Sequence, residues 1–142
     1  MKGKVFLDTN IFVYSIDSSP GEIKEGDIAR QLVEKYIRDE TGVISIQVVQ
    51  EFYQVATRKI QIPLSTEEAL EFMYYMTTLE TVVPDFDMVV AAVRLHQKHS
   101  FSFWDALILQ AAKIAGCSRI LSEDLRNGFR LNDLTVMNPF VS

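Results

Sequence analysis

Four carboxylates stand where apolar runs end or are interrupted, and they come from four separate segments of this 142-residue chain. Asp8 closes Val5-Phe6-Leu7, Glu51 interrupts Val48-Val49-Gln50 and Phe52, Asp105 sits inside Phe103-Trp104 and Ala106-Leu107, and Asp124 follows Ile120-Leu121-Ser122-Glu123. An unpaired carboxylate taken out of water costs several kcal/mol, or shifts its pKa until it neutralises. Carboxylates beside core segments therefore need a compensating cation. If the fold gathers the four, a divalent ion is the simplest candidate, because hard cations such as Mg2+ take oxygen ligands.

Each carboxylate also has a plainer explanation. Asp105 has Phe101, Ile108, Leu109 and Ala112 as helical neighbours, an apolar stripe, yet a carboxylate at a helix N-terminus gains about 0.5–2 kcal/mol from free backbone N–H groups. Ser102 is the better cap, and both roles can hold together. Glu51 shares its face with Val48 and Val55 but also with Gln47 and Gln54, as a partly solvated helix residue would. Asp8 alone reads as a strand terminus, and Asp124 alone as the start of a turn with Asn127-Gly128.

Other reactive side chains carry less. His96 and His99 lie close together on a predicted helix without a metal-like partner, so they read as solvated or capping residues. Cys117 is the one cysteine. It cannot form an internal disulfide, belongs to no Cys/His zinc spacing, and is expected to be a small buried side chain. Arg58 and Lys59 after the Glu51 segment, and Arg126 and Arg130 after Asp124, are either phosphate contacts at the rim of a site or solubilising charge. Phe103 and Trp104 have the chemistry to stack on a base, but in so apolar a helix they are expected to pack into the core.

Positioning these residues requires strands that deliver carboxylates to one rim. Residues 4–7 form a short apolar run ending at polar Asp8-Thr9-Asn10, the pattern of a buried strand. Residues 18–27 are turn-rich and charged and read as a loop, before a helix over 28–37 with Ile28, Leu32, Val33, Tyr36 and Ile37 on one face. Residues 43–46 are predicted as a strand running into a helix over 47–59. Ser65-Thr66-Glu67-Glu68 signals a helix start, followed by an apolar face of Ala69, Leu70, Phe72, Met73 and Met76. Residues 82–84 are a candidate strand, Asp85 or Asp87 a cap for a helix reaching His99, and 103–115 a strongly apolar helix that Gly116 ends. A core strand over 119–121 and an edge strand over 135–137 complete the chain. This alternation predicts one α/β domain spanning residues 1–142, with a mainly parallel sheet flanked by helices. In such sheets ligands lie beyond the carboxyl ends of the strands, so Asp8 and Asp124 should share a rim.

Composition bounds the function. The hydrophobic content of 48% and the length allow one well-buried core. No apolar segment approaches the roughly 20 residues that cross a bilayer, and the start has no signal-peptide core, so a cytoplasmic protein is expected. A net charge of −5 argues against a sequence-independent nucleic-acid coat but not against a nucleic-acid substrate, since metal ions invert the local potential of a carboxylate cluster.

Taken in order, Asp8-Thr9-Asn10 after a strand, Glu51 on a helix after Ser45, Asp105 in Phe103-Trp104-Asp105-Ala106, and Ser122-Glu123-Asp124-Leu125 after a strand resemble the PIN domain family, particularly its VapC-type toxins. The resemblance covers nearly the whole chain, down to Thr135-Val136-Met137-Asn138-Pro139-Phe140. It implies a Mg2+-dependent endoribonuclease, with Mn2+ as the alternative ion, whose acidic centre is Asp8, Glu51, Asp105 and Asp124. Asp8 and Asp105 match the most direct metal ligands, Asn10 and Ser122 match small polar positions supporting the centre, Glu123 leaves the assignment at that corner open, and Asp17 matches a peripheral acidic position. It further implies an RNA substrate, a homodimer and a small VapB-like antitoxin. A housekeeping RNA-processing nuclease and a non-catalytic RNA- or partner-binding module are the alternatives within the same family. The strand-Asp-Thr-Asn pattern is also shared in part by phosphatases that form an aspartyl-phosphate, but these need a second Asp where this chain has Asn10. Phosphodiester hydrolysis requires a nucleophilic water and charge stabilisation at phosphorus, which divalent ions supply without a histidine.

Overall fold

The computed structural model describes residues 3–141. Its six strands are β1 (Lys4–Leu7), β2 (Gly42–Ser45), β3 (Glu80–Val82), β4 (Cys117–Leu121), β5 (Arg130–Leu131) and β6 (Leu134–Met137). They form one sheet in the order β3-β2-β1-β4-β6-β5, with every pairing parallel except β5 with β6. Val5, Phe6 and Leu7 are fully buried, as are Val43 and Ile44 of the neighbouring strand. A strand covered on both faces must be apolar along its whole length rather than alternating, which is why these runs are short and continuous.

The helices are α1 (Thr9–Ile16), α2 (Ile23–Arg38), α3 (Ile46–Arg58), α4 (Thr66–Met76), α5 (Phe86–Lys98) and α6 (Phe103–Ile114). Chain order runs outward from β1 through β2 to β3, then returns across the sheet to β4. Because parallel crossovers are right-handed, this reversal puts α1 to α4 on one face and α5 with α6 on the other. In keeping with it, α1 packs on α2 and α3, α3 on α4, and α5 on α6. The direction change between β1 and β4 opens a crevice at their carboxyl ends, the place where an α/β sheet binds its ligand.

Local chemistry sets the boundaries. Ser65 and Glu68 form a reciprocal capping box on α4, Asp85 caps α5 through the Met88 amide, and Ser102 caps α6 through the Asp105 amide. Gly116, at φ 78°, ends the α6 segment in a conformation that a Cβ would disfavour. The expected loop over 18–27 is corrected: Pro20–Glu22 is a 3-10 turn and α2 already starts at Ile23. Lys24, Glu25 and Asp27 disguise that first turn as loop. Gly26 is buried there, and a Cβ on it would come within 3.2 Å of the Tyr14 carbonyl oxygen, so the glycine permits α2 to close on α1.

Two strand expectations are also corrected. The segment expected at 82–84 pairs as Glu80–Val82, since Pro84 has no N–H and constrains Val83. The strand expected at the sheet edge over 135–137 is instead interior: β6 lies between β4 and β5, and the two-residue β5 closes the edge through a hairpin in which Asn132 takes φ 55°. Cys117 is buried as expected, and burial pushes its thiol up to about 12. Among the described residues, no helix is long and apolar enough to cross a membrane.

Candidate active site

Asp8 is both the last residue of the β1 rim and the N-cap of α1. Its Oδ1 accepts from the Thr9 amide at 2.8 Å, and its Oδ2 accepts from the Ser122 hydroxyl at 2.7 Å. The second bond spans the crevice, because Ser122 follows β4 directly. Ser122 Oγ is itself fully buried and accepts from the Asp124 and Leu125 amides at 3.1 and 3.2 Å. One hydroxyl therefore locks the turn after β4 and holds Asp8 at the same time.

Glu51 arrives from the adjacent strand by way of α3. Its Oε1 accepts from the Thr9 hydroxyl at 2.8 Å and its Oε2 from the Gln47 amide at 3.1 Å. Gln47 is buried one helical turn before Glu51 and also donates to the Trp104 carbonyl oxygen at 3.1 Å, tying α3 to the first turn of α6 where Asp105 sits. On the other side, Asn10 donates to Asp124 Oδ2 at 3.2 Å and accepts from the Glu123 amide at 3.1 Å.

Asp8, Glu51, Asp105 and Asp124 all line one open cavity of about 650 Å³, together with Thr9, Asn10, Tyr14 and Lys59. The carboxylates grade from buried Asp8 through half-buried Glu51 and Asp105 to exposed Asp124. Their proximity is electrostatically costly. Burial raises Asp8 from 3.8 to about 6 despite the hydrogen bonds from Ser122 and Thr9, with the charges of Glu51 and Asp124 adding to the rise. Asp105 is also raised, first by burial and further by Asp124 and Glu51, while its hydrogen bond with Ser102 opposes the shift. Among the described residues, no lysine or arginine makes an ion pair with any of the four.

This donor set fits a hard divalent cation. Among the described residues, no three acidic, imidazole or thiol side chains form a ready-made cage around one point. Mg2+ does not need one, since it is usually held through one or two carboxylates and keeps several waters. The open cavity has room for those waters, and the uncompensated charge supplies the attraction.

A family model, the PIN domain, matches residues 5–132. The chain belongs to the PIN domain family. Its PIN fold is also that of a toxin-antitoxin complex from Klebsiella pneumoniae, at TM-score 0.69 and 18% identity over 96% of this chain and 98% of the other. DNA-bound VapBC from Salmonella typhimurium superposes at TM-score 0.68 and 17% identity, covering 97% and 99%. Mycobacterium tuberculosis VapC20, described as a toxin that cleaves the sarcin-ricin loop, superposes at TM-score 0.65 and 15% identity, covering 85% and 90%. No curated protein matches the chain by sequence. Beyond residue 132, β6 continues the sheet of this PIN domain and Phe140 packs on Tyr14 with ring centroids 4.8 Å apart.

The remaining candidate residues divide. Of the four cations read as either phosphate contacts or solubilising charge, Lys59 lines the cavity and Arg58, Arg126 and Arg130 do not. Arg126 lies over the Phe101 and Phe129 rings at 5.3 and 5.7 Å, and Arg130 is in edge strand β5. Glu123 accepts from the Tyr14 hydroxyl at 3.0 Å, and burial, with this pairing adding to it, raises the Tyr14 pKa. Asp17 lines the cavity while accepting from the Ser19 amide and hydroxyl. His96 hydrogen-bonds the Phe101 carbonyl and His99 caps α5, apart from the acidic cavity. Trp104 corrects the expectation of core packing: it is 61% exposed, because the buried stripe of α6 begins only at Ala106. Sequence reasoning missed Thr9, Gln47 and Tyr14. The available signal was spacing alone, with Thr9 beside Asp8 and Gln47 four residues before Glu51.

Proposed function

We propose that this chain is a divalent-metal-dependent endoribonuclease, the toxin of a VapBC-type pair, acting in the cytoplasm with Mg2+ or alternatively Mn2+. The observation that carries this reading is the convergence of Asp8, Glu51, Asp105 and Asp124 around one cavity in which, among the described residues, no lysine or arginine forms an ion pair with any of them. Membership of the PIN family and the fold shared with VapBC proteins support it.

Asp8 and Asp105 would hold the ion, with Glu51 and Asp124 completing the acidic centre. When bound, the ion supplies Lewis acidity toward the phosphodiester. The chain's own residues do the positioning. Ser122 and the Thr9 amide fix both oxygens of Asp8, Thr9 and Gln47 fix both oxygens of Glu51, and Asn10 steadies Asp124. Carboxylates held by hydrogen bonds lose less freedom when a substrate and ion arrive, which is the benefit of a supported site.

Two partners follow from surfaces. Helix α4 buries Ala69 and Met76 and stacks Phe72 on Phe52, yet leaves Leu70, Tyr74 and Tyr75 exposed. That outer face suits a second copy of the chain in a homodimer. The acidic cavity suits an arginine from a small antitoxin tail, which would compete with the metal or the RNA path. The test is cleavage of RNA and of a free phosphomonoester by purified protein in Mg2+, alongside expression with and without any small open reading frame that adjoins the gene. Mg2+-dependent cleavage of RNA alone, growth arrest on expression, and rescue by the small protein are expected. Turnover of the phosphomonoester would overturn the nuclease reading; RNA cleavage without growth arrest or a copurifying partner would replace the toxin by a housekeeping nuclease.

A further inference from the structure

Trp104 is exposed one residue before Asp105, which lines the acidic cavity, on the first turn of α6 that Gln47 ties to Glu51. At 61% exposure it contrasts with the buried run that starts two residues later at Ala106. The surrounding backbone is tightly held. Ser102 caps α6, the Trp104 carbonyl accepts from Gln47, and the Phe103 ring meets the indole edge to face with centroids 5.0 Å apart. Because the same Gln47 amide donates to Glu51, and Asp105 is the next residue, the indole is mounted on the unit that positions two of the four carboxylates.

We propose that Trp104 is a stacking platform for one unpaired base of the RNA substrate next to the acidic cavity, a substrate-positioning residue for the nuclease reading on which this inference rests. Charge on this protein is poorly arranged to grip RNA. The chain carries −5 overall, Lys59 is the one cation lining the cavity among the described residues, and Arg126 is engaged by two phenylalanine rings. Sequence-independent affinity normally comes from Lys and Arg neutralising phosphates. Stacking on an aromatic ring provides affinity without positive charge, about 5- to 150-fold per base, and accepts any base because each has a π face. The platform requires the base to be unstacked and accessible, so it favours single-stranded RNA or a loop over a helix.

Trp104 is the chain's one tryptophan, so its emission reports on the platform directly. The experiment titrates Asp8→Asn protein in Mg2+ with an end-labelled single-stranded oligoribonucleotide, reading tryptophan emission and label anisotropy together. Oligonucleotides carrying an abasic site at successive positions are compared with the parent. We expect saturable quenching that parallels the anisotropy, and one abasic position that removes the quenching and weakens binding by about 5- to 150-fold. In the otherwise native chain, Trp104→Ala should raise KM by a similar factor with kcat within roughly twofold, and Trp104→Phe should recover most of the loss. RNA binding seen by anisotropy with unchanged emission and no sensitive abasic position would overturn the platform while leaving the nuclease reading intact. Emission that changes with protein concentration alone, with Trp104→Ala protein turning monomeric, would also overturn it and assign the ring to a contact between copies. Failure of the native chain to bind or cleave any RNA would overturn the nuclease reading, and the platform with it. The quenching and abasic arms use the native ring, so they do not depend on the folding of Trp104→Ala.

Discussion

Replacing Asp8 with Asn should change how stability depends on pH by an amount that follows from the site's electrostatics. Asp8 titrates near 3.8 when solvated and at about 6 in the fold. Between those values the native protein binds more protons than the unfolded chain, so wild-type stability falls as pH rises through the interval and stays lower above it. The difference corresponds to about 3 kcal/mol, of which about 2.5 kcal/mol falls between roughly pH 4 and pH 7.5. Asn keeps the cap, since its carbonyl oxygen can accept from the Thr9 amide. It loses the other bond: Ser122 Oγ already accepts from two amides, so an Asn NH2 finds no acceptor there and the Ser122 proton loses its own. That loss costs about 1–3 kcal/mol but is the same at every pH. Urea unfolding in EDTA, followed by circular dichroism, should therefore show Asp8→Asn gaining about 2.5 kcal/mol relative to wild type on going from roughly pH 4 to pH 7.5. A difference that does not vary with pH, or one that moves in wild type's favour as pH rises, would refute the assignment of Asp8 as a destabilised buried carboxylate.

Ser122→Ala should cost about 2 kcal/mol through the amides it leaves unpaired, and should lift the Asp8 titration further, so cleavage activity should fall away at a higher pH than in wild type. The check is a pH–rate profile beside an unfolding curve. Ser65→Ala breaks the α4 capping box far from the cavity and should lower stability by about 1 kcal/mol with kcat unchanged, measured by urea midpoint and turnover. Light scattering should report a dimer, and Tyr74→Glu on the exposed face of α4 should shift it toward monomer without unfolding it; a monomer at every concentration would remove α4 as a pairing surface.

The main frame of this PIN domain was legible because its strands are short apolar runs closed by polar residues and its helices carry strong caps. Ser65 with Glu68, Asp85 and Ser102 each announce a helix start in types that hydrogen-bond free amides. The start of α2 was illegible because its first turn is charged and mostly solvated, and only the buried Gly26 betrays its packing on α1. Strand β5 is two residues long and has too little pattern to see. At the site, the four carboxylates stood out because charge interrupts apolar runs, whereas the bonds from Thr9 to Glu51 and from Gln47 to the Trp104 carbonyl join residues far apart in sequence and leave no local pattern. Trp104 misled for a related reason: an apolar neighbourhood in sequence does not say which residue of a helix's first turn faces solvent.

The most direct test of the central claim is single-turnover cleavage of a single-stranded RNA by wild type, Asp8→Asn and Asp105→Asn across a Mg2+ titration, with folding of each protein checked by circular dichroism. Wild type should be inactive in EDTA and saturate with Mg2+, and both variants should lose more than about a hundredfold at limiting Mg2+ while remaining folded. Cleavage that persists in EDTA, or full activity of both folded variants at limiting Mg2+, would contradict a metal centre built on these carboxylates.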